Sequence, residues 1–420
     1  MNRGFYTIMA AQFFSSLADN ALYFVAIALL VTLKAPPSLA PLLKLSFVLF
    51  YVLLAPFVGA FADSRPKGQV MFMANLIKVL GCALMFTNVH PLLANAVVGL
   101  GAAIYSPAKY GILTELLPAE KLVLANGWIE GLTIMSVILG TVMGGALVSK
   151  PAASFLLGFD FPLIDTGIDT PVEAALCVII VIYALAAIFN TYIPDTGVKY
   201  ARQKHTPGKL IADFSDCTAL LWRDKLGQIS LAVTTLFWGV GATLQLIVVK
   251  WAERALDMPY EKATSMVGLF AVGVALGAVV SARMVTLRQA LGVIPLGILM
   301  GLMVAIMPLV HTVWLAYPFL VFIGALAGFF VVPMNALLQH RGHVLMTAGH
   351  SIAVQNFNEN LAILTMSALY AILIVLNLDL YVIIVLFGGG VAAMMYLIKL
   401  RHEANQRVCD SIALIGEHKH

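Results

Sequence analysis

The strongest constraint on this chain is the repeated return of apolar stretches about 20 residues long. Placed by hydropathy, they fall near 7–33, 42–62, 69–87, 92–114, 123–148 and 172–193. After a polar segment they resume near 228–249, 263–285, 290–310, 313–337, 348–375 and 378–399. Hydrocarbon offers backbone N–H and C=O groups no water, so a stretch of that length has to be helical. The expected fold class is an all-α membrane protein of twelve transmembrane helices. Composition agrees, since 61% of the 420 residues are hydrophobic and only 11% are charged, where soluble proteins carry about a quarter. The first run follows a basic start at Arg3 and is too long for a signal-peptide core, so it is expected to stay as a span.

An even number of spans puts both termini on one side. In this layout about 17 Lys and Arg lie on that side and about 6 opposite, which assigns the termini to the cytoplasm. The expected domains are a six-helix half over 1–193, a cytoplasmic linker over 194–227, a second six-helix half over 228–400 and a cytoplasmic tail over 401–420. The linker holds Lys199, Arg202, Lys204, Lys209, Arg223 and Lys225, and its 213–222 portion reads either as an amphipathic surface helix or as solvated chain. The loop over 149–170, with Asp160, Asp165 and Asp169, belongs on the far side.

Several function classes are disfavoured. The net charge of +4 is too slight and scattered to argue for nucleic acid. Cys82, Cys177, Cys217 and Cys409 have no paired spacing, so neither a disulfide framework nor a metal site is supported. No phosphate-binding GxxxxGK[ST] stretch occurs, which argues against ATP-driven transport by this chain. Neither a His-x-x-x-x-Asp pair nor another nucleophile arrangement stands out, so no catalytic residue and no cofactor is expected, and the chain reads as a non-enzyme.

Depth in the membrane selects the polar residues that need explaining. Helix rise places a residue ten to twelve positions into a span near the bilayer centre, and Asp19, Lys78, Glu130 and Glu359 meet that test. Facing lipid, each would cost several kcal/mol, so each should point inward, find a partner or be neutralised. A structural ion pair between helices satisfies those energetics as well as a functional site does. The first span adds Asn20 beside Asp19. The eleventh carries Gln355, Asn356, Asn358, Glu359 and Asn360, with Gln355 and Glu359 on one helical stripe and Asn356 and Asn360 on the next. The stretch from Ala103 to Glu130 contains Lys109 close after Pro107 and then Asn126, Gly127 and Glu130, two polar insertions that read as lining a common polar space. Lys109 lies about 26 Å down its span, where it either snorkels to the cytoplasmic face or turns inward. His350 reads as a hydrogen-bonded interfacial histidine or as a group titrating near neutrality. Gly140, Gly144 and Gly145 in the fifth span, with Gly273 and Gly277 in the eighth, read as small-residue packing seams.

Two patterns connect these residues to a family. Between the second and third spans, Gly59, Asp63, Arg65, Lys67 and Gly68 resemble the loop signature of the major facilitator superfamily, with Pro66 and Gln69 departing from the common form. In that fold two six-helix halves rock around a midplane site. More specifically, Tyr105-Ser106-Pro107-Ala108-Lys109-Tyr110-Gly111, Leu124-Ala125-Asn126-Gly127, Ala18-Asp19-Asn20-Ala21-Leu22, Val332-Pro333-Met334-Asn335 and Ala353-Val354-Gln355-Asn356 resemble the bacterial lysophospholipid transporter family. The resemblance implies a monomeric inner-membrane flippase without cofactor. It would move lysolipids such as lysophosphatidylethanolamine inward for a lysophospholipid acyltransferase and acyl-carrier-protein synthetase, with membrane lipids around it. A headgroup with an ammonium and a phosphate asks for acids and a base, for which Asp19, Glu130 and Glu359 with Lys78 or Lys109 are the candidates, supported by Asn20, Gln355, Asn356 and Asn360. Gln245 and His350 stand where relatives are expected to carry arginine and asparagine, so a phosphate contact from the seventh span is not carried over. The alternative is a proton-coupled exporter of amphipathic drugs, with Asp19, Glu130 or Glu359 as the proton carrier.

Overall fold

The computed structural model describes residues 3–36, 39–87, 89–157, 170–198, 200, 206–408 and 410–415. Asp160, Asp165, Asp169, Lys199, Arg202, Lys204 and Cys409 lie outside the described residues. In chain order the helices are α1 (Arg3–Thr32), α2 (Leu39–Leu53), α3 (Ala55–Asp63), α4 (Lys67–Leu84), α5 (Pro91–Leu116), α6 (Leu122–Leu147), α7 (Lys150–Leu157) and α8 (Pro171–Thr191). Then come α9 (Pro207–Arg223), α10 (Gly227–Ala255), α11 (Tyr260–Met284), α12 (Ile294–Ile306), α13 (Val313–Leu345), α14 (Ala348–Val375) and α15 (Leu380–Val408). Among the described residues there is no strand.

Each of the twelve expected spans coincides with a helix or a pair of helices. Among the described residues ten are long and apolar enough to cross a membrane, and an eleventh if α2 and α3 form one broken span. That break bends by 66°. It falls at Leu54, two residues before Pro56, which lacks the N–H that would continue the helical ladder. The remaining candidate, α4, has its hydropathy lowered by Lys67, Asn75 and Lys78, all of which are buried. The chain is a multi-pass membrane protein.

Polar side chains cap three of the helix starts. Thr170 and Glu173 exchange side-chain-to-backbone bonds in a capping box ahead of α8, with Pro171 in its first turn. Asp224 accepts from the Gly227 and Leu226 N–H groups at the start of α10, and Thr347 caps α14. The linker is not plain solvated chain. Its α9 buries Phe214 and Leu221 and lays the Phe214 ring edge-on against Phe357 of α14.

The helices sort into two compact units, 1–116 with 135–211, and 117–134 with 212–420, so that α6 contributes a part to each. Within the first unit α1 packs on α8, α2 on α5, and α4 on both α5 and α8. Within the second, α10 packs on α15, α11 on α13, and α12 on both α13 and α15. Counted by span, each of these four pairings in the first unit recurs six spans later in the second, as a duplicated six-helix plan requires. The glycine seams hold, since a Cβ on Gly273 or Gly277 of α11 would meet the carbonyl oxygens of Val321 and Ala325 on α13 at 2.2 and 2.0 Å. Gly140 and Gly144 of α6 press against α1 in the same way, whereas Gly145 has no such neighbour.

Candidate functional site

In the first unit, depth alone had singled out Asp19 and Lys78, and the fold brings them together. Lys78 is 1% exposed, and its Nζ lies 2.8 Å from Asp19 Oδ2 and 3.0 Å from Ser15 Oγ. The other carboxylate oxygen accepts from the Tyr183 hydroxyl at 2.7 Å. Ser15 in turn donates to Asn75 Oδ1 at 2.8 Å. The rings of Tyr105 and Tyr183 stand 5.1 and 5.5 Å from the ammonium, which loses water and gains two π faces. Burying a lone ammonium is prohibitive, so this arrangement is what allows a lysine inside α4. Asp19 keeps 20% of its side chain exposed, whereas Lys78 keeps almost none. The acid is therefore the member a ligand can reach.

Ser15 and Asn75 were not singled out from the sequence, although each lies one helical turn before Asp19 or Lys78 on the same face. Tyr183 carried no local signal. The hydroxyl of Tyr105 and Nδ2 of Asn75 are buried beside this cluster without a hydrogen-bond partner. Asn20 spends its amide on the Ser16 carbonyl of its own helix. Lys109 is buried rather than extended into water, with its Nζ 4.0 Å from the Tyr110 ring centre.

The loop signature forms a second ionic cluster in the same unit. Lys67 donates to Asp63 Oδ1 at 2.6 Å and to the Ala62 carbonyl, and lies 3.5 Å from Glu115 Oε1. Glu115, which the signature does not contain, also accepts from Thr196 and Tyr200. The Tyr200 ring covers the Lys67 ammonium at 5.1 Å. Arg65 instead stays exposed over Phe61, and Gly68 gives α4 close approach to the Asn190 carbonyl. Gly59 is buried within α3.

In the second unit, buried amides and acids of α6, α13 and α14 form one chain. Asn335 Nδ2 donates to Glu130 Oε1 at 3.4 Å, and Gln355 Nε2 donates to both Asn335 Oδ1 at 3.2 Å and Glu359 Oε1 at 2.7 Å. The predicted Gln355–Glu359 stripe is thus a direct contact. One turn away, Asn126 and Gln339 exchange two amide hydrogen bonds of 2.8 and 2.9 Å. Two rungs therefore join α6 to α13, and Asn126 and Gln339 are almost wholly buried. Asn126 and Asn335 sat inside the family motifs, yet pairings 205 and 213 residues apart have no local signature. Gln355 Oε1 meets no donor. Asn356 is buried and its carbonyl takes the Asn360 amide. His350 lies 2.7 Å from the capping hydroxyl of Thr347, the hydrogen-bonded role expected of it. Chemically, the two units offer an oriented carboxylate and an amide-bridged pair of carboxylates, groups suited to a cation or an ammonium headgroup. Among the described residues no group of three or more His, Cys, Asp and Glu could hold a metal ion.

Comparison with known proteins agrees with the helix plan. The model of the Major Facilitator Superfamily matches residues 8–364. The human organic anion transporter MFSD10 (TETRAN) superposes with a TM-score of 0.74 at 14% identity, over 96% of this chain and 100% of that one. FucP in its outward conformation gives 0.70 at 12% identity, over 96% and 98%. At such identities the likeness concerns the fold alone. Sequence relatives are much nearer. The Lysophospholipid transporter LplT of Serratia proteamaculans (strain 568) is 42% identical over 373 residues, 89% of each chain. That of Yersinia enterocolitica serotype O:8 / biotype 1B (strain NCTC 13174 / 8081) is 40% identical over 378 residues, 90% of this chain and 89% of the relative. The chain belongs to the Major Facilitator Superfamily and, within it, to the lysophospholipid transporter family.

Proposed function

We propose that this protein is a secondary transporter that moves lysophospholipids, such as lysophosphatidylethanolamine, inward across a bacterial inner membrane by alternating access. The termini, the linker over 194–227 and the tail over 401–420 are cytoplasmic in this reading, and the product feeds a reacylating enzyme partner. The observation that carries it is the polar chemistry set at mid-span in each unit of a chain whose relatives are named lysophospholipid transporters. Asp19 and Glu359 orient the headgroup ammonium, with Glu130, Gln355 and Asn356 completing the acid and amide set. Lys78, being enclosed, holds Asp19 in position rather than meeting the phosphate, so Lys109 is the base left for that role. Asn20 and Asn360 face lesser demands, because each bonds its own helix. Asp63, Arg65 and Lys67, with Gly59 and Gly68, act in the conformational change rather than in binding.

Proteoliposomes loaded with lysophosphatidylethanolamine test the reading. Wild-type protein is expected to move it, and Asp19→Asn and Glu359→Gln to lose most transport while the melting temperature shows a folded protein. Unchanged transport in both variants would remove the site assignment. An ionophore that abolished movement of amphipathic drugs, with no lysolipid movement at all, would favour the proton-coupled exporter.

A further inference from the structure

Away from the mid-span clusters, a cleft of about 600 Å³ opens in the second unit between the end of α10 and the turn from α14 to α15. Four charged side chains line it, two of each sign. Lys250 pairs with Glu253 along α10, and Arg254 reaches across to Asp379 in the turn. All four are 27–59% exposed. Ion pairs so exposed hold each other weakly and can exchange with a charged ligand. The turn is fixed by Asn377 at φ 56°, a left-handed conformation that asparagine tolerates. The Tyr381 ring lies 4.8 Å from the Arg254 guanidinium and orients it.

The surroundings give the cleft a direction. It sits where three spans end, at Ala255, Val375 and Leu380, and therefore at the margin of the hydrocarbon. Ile374, Leu378 and Leu380 line it beside the charges, and Leu246, Leu376 and Val382, within four residues in sequence of lining residues, are exposed as well. Mixed charge above exposed hydrocarbon-loving surface matches a molecule with a zwitterionic head and an acyl tail. Arginine is suited to phosphate through its planar fork, and the two carboxylates to an ammonium.

We propose that this cleft docks the zwitterionic headgroup of a lysophospholipid, with Arg254 and Lys250 taking the phosphate and Asp379 and Glu253 the ammonium. It collects substrate from the leaflet at the outer ends of α10 and α14 before transport. The inference rests on the lysophospholipid reading above, and its test is separable from it.

The test uses full-length protein in liposomes and a lysophosphatidylethanolamine carrying a photoreactive group on its glycerol. Label is expected in the peptides over 246–255 and 374–382. Arg254→Gln with Lys250→Gln should lower it about tenfold, as loss of charge-assisted contacts implies. Lys250→Gln alone leaves the Arg254–Asp379 pair in place, so a partial loss there excludes unfolding as the cause. Unlabelled lysophosphatidylethanolamine should compete well, with lysophosphatidylglycerol and glycerophosphoethanolamine competing poorly. Labelling unchanged in both variants would overturn the proposal. So would equal competition by glycerophosphoethanolamine, which marks a soluble-anion site, or by lysophosphatidylglycerol, which leaves the carboxylates without a part. A wild-type protein that takes label here but moves no lysolipid would overturn the transport reading and leave the docking site standing.

Discussion

Lys78 meets Asp19, Ser15 and two tyrosine rings, and no bulk water. Removing the acid alone leaves an enclosed cation, so Asp19→Asn should cost about 3 kcal/mol of stability. Lys78→Met combined with Asp19→Asn should regain much of that loss, which a double-mutant cycle on the melting temperature will measure. The same logic applies to the reciprocal amides. Asn126→Ala strands the buried Gln339 amide and should cost about 1–3 kcal/mol, whereas Leu at both positions should be better tolerated. Denaturation of both variants in the same detergent decides it. Sequence depth identified Asp19, Lys78, Glu130 and Glu359 because the membrane penalty is local to each residue. It did not pair them, since 59 residues separate Asp19 from Lys78. Glu115 escaped for another reason, namely that a carboxylate at a span end looks solvated until the Lys67 cluster closes around it.

At the level of elements, ten of the twelve expected spans, and an eleventh as the bent pair α2 and α3, were legible because hydropathy over about 20 residues is a local property. Their ends were not. Helix α13 runs to Leu345, where the expected span stopped near 337, and α10 runs to Ala255. Helices continue beyond the hydrocarbon until a cap or turn ends them, and hydropathy does not see that. The bend at Leu54 needed Pro56 to be read as a break within one span. The glycine seams support a sharper expectation. Gly277→Val forces a side chain into the Ala325 carbonyl and should cost at least about 2 kcal/mol, with reduced yield of folded protein. Gly145→Ala enters open space and should be neutral or mildly stabilising in the same assay.

For the molecule as a whole, the sequence carries a faint mark of a duplicated plan, with Pro107 before Lys109 in the fourth span and Pro333 before Asn335 in the tenth. The repeated helix pairings give that echo a structural basis. Helix α6 belongs partly to each unit, with Asn126 and Glu130 among α13 and α14 and Gly140 and Gly144 against α1. Because that division depends on pairings far apart in the chain, no reading of spans could supply it.

The α11–α13 seam has a mechanical consequence. Gly273 and Gly277 face Gly324 and Gly328, and on both helices backbone touches backbone. With no side chains between them to flex, the two helices form one stiff beam, and sliding either along the other by less than a turn drives Cβ atoms into carbonyls. Whatever displaces Asn335 and Gln339 must carry α11 with it. Spin labels at the exposed Val272 and Phe322 should then keep a single narrow distance with and without lysolipid, and a broadened or shifted distribution would show that the beam yields.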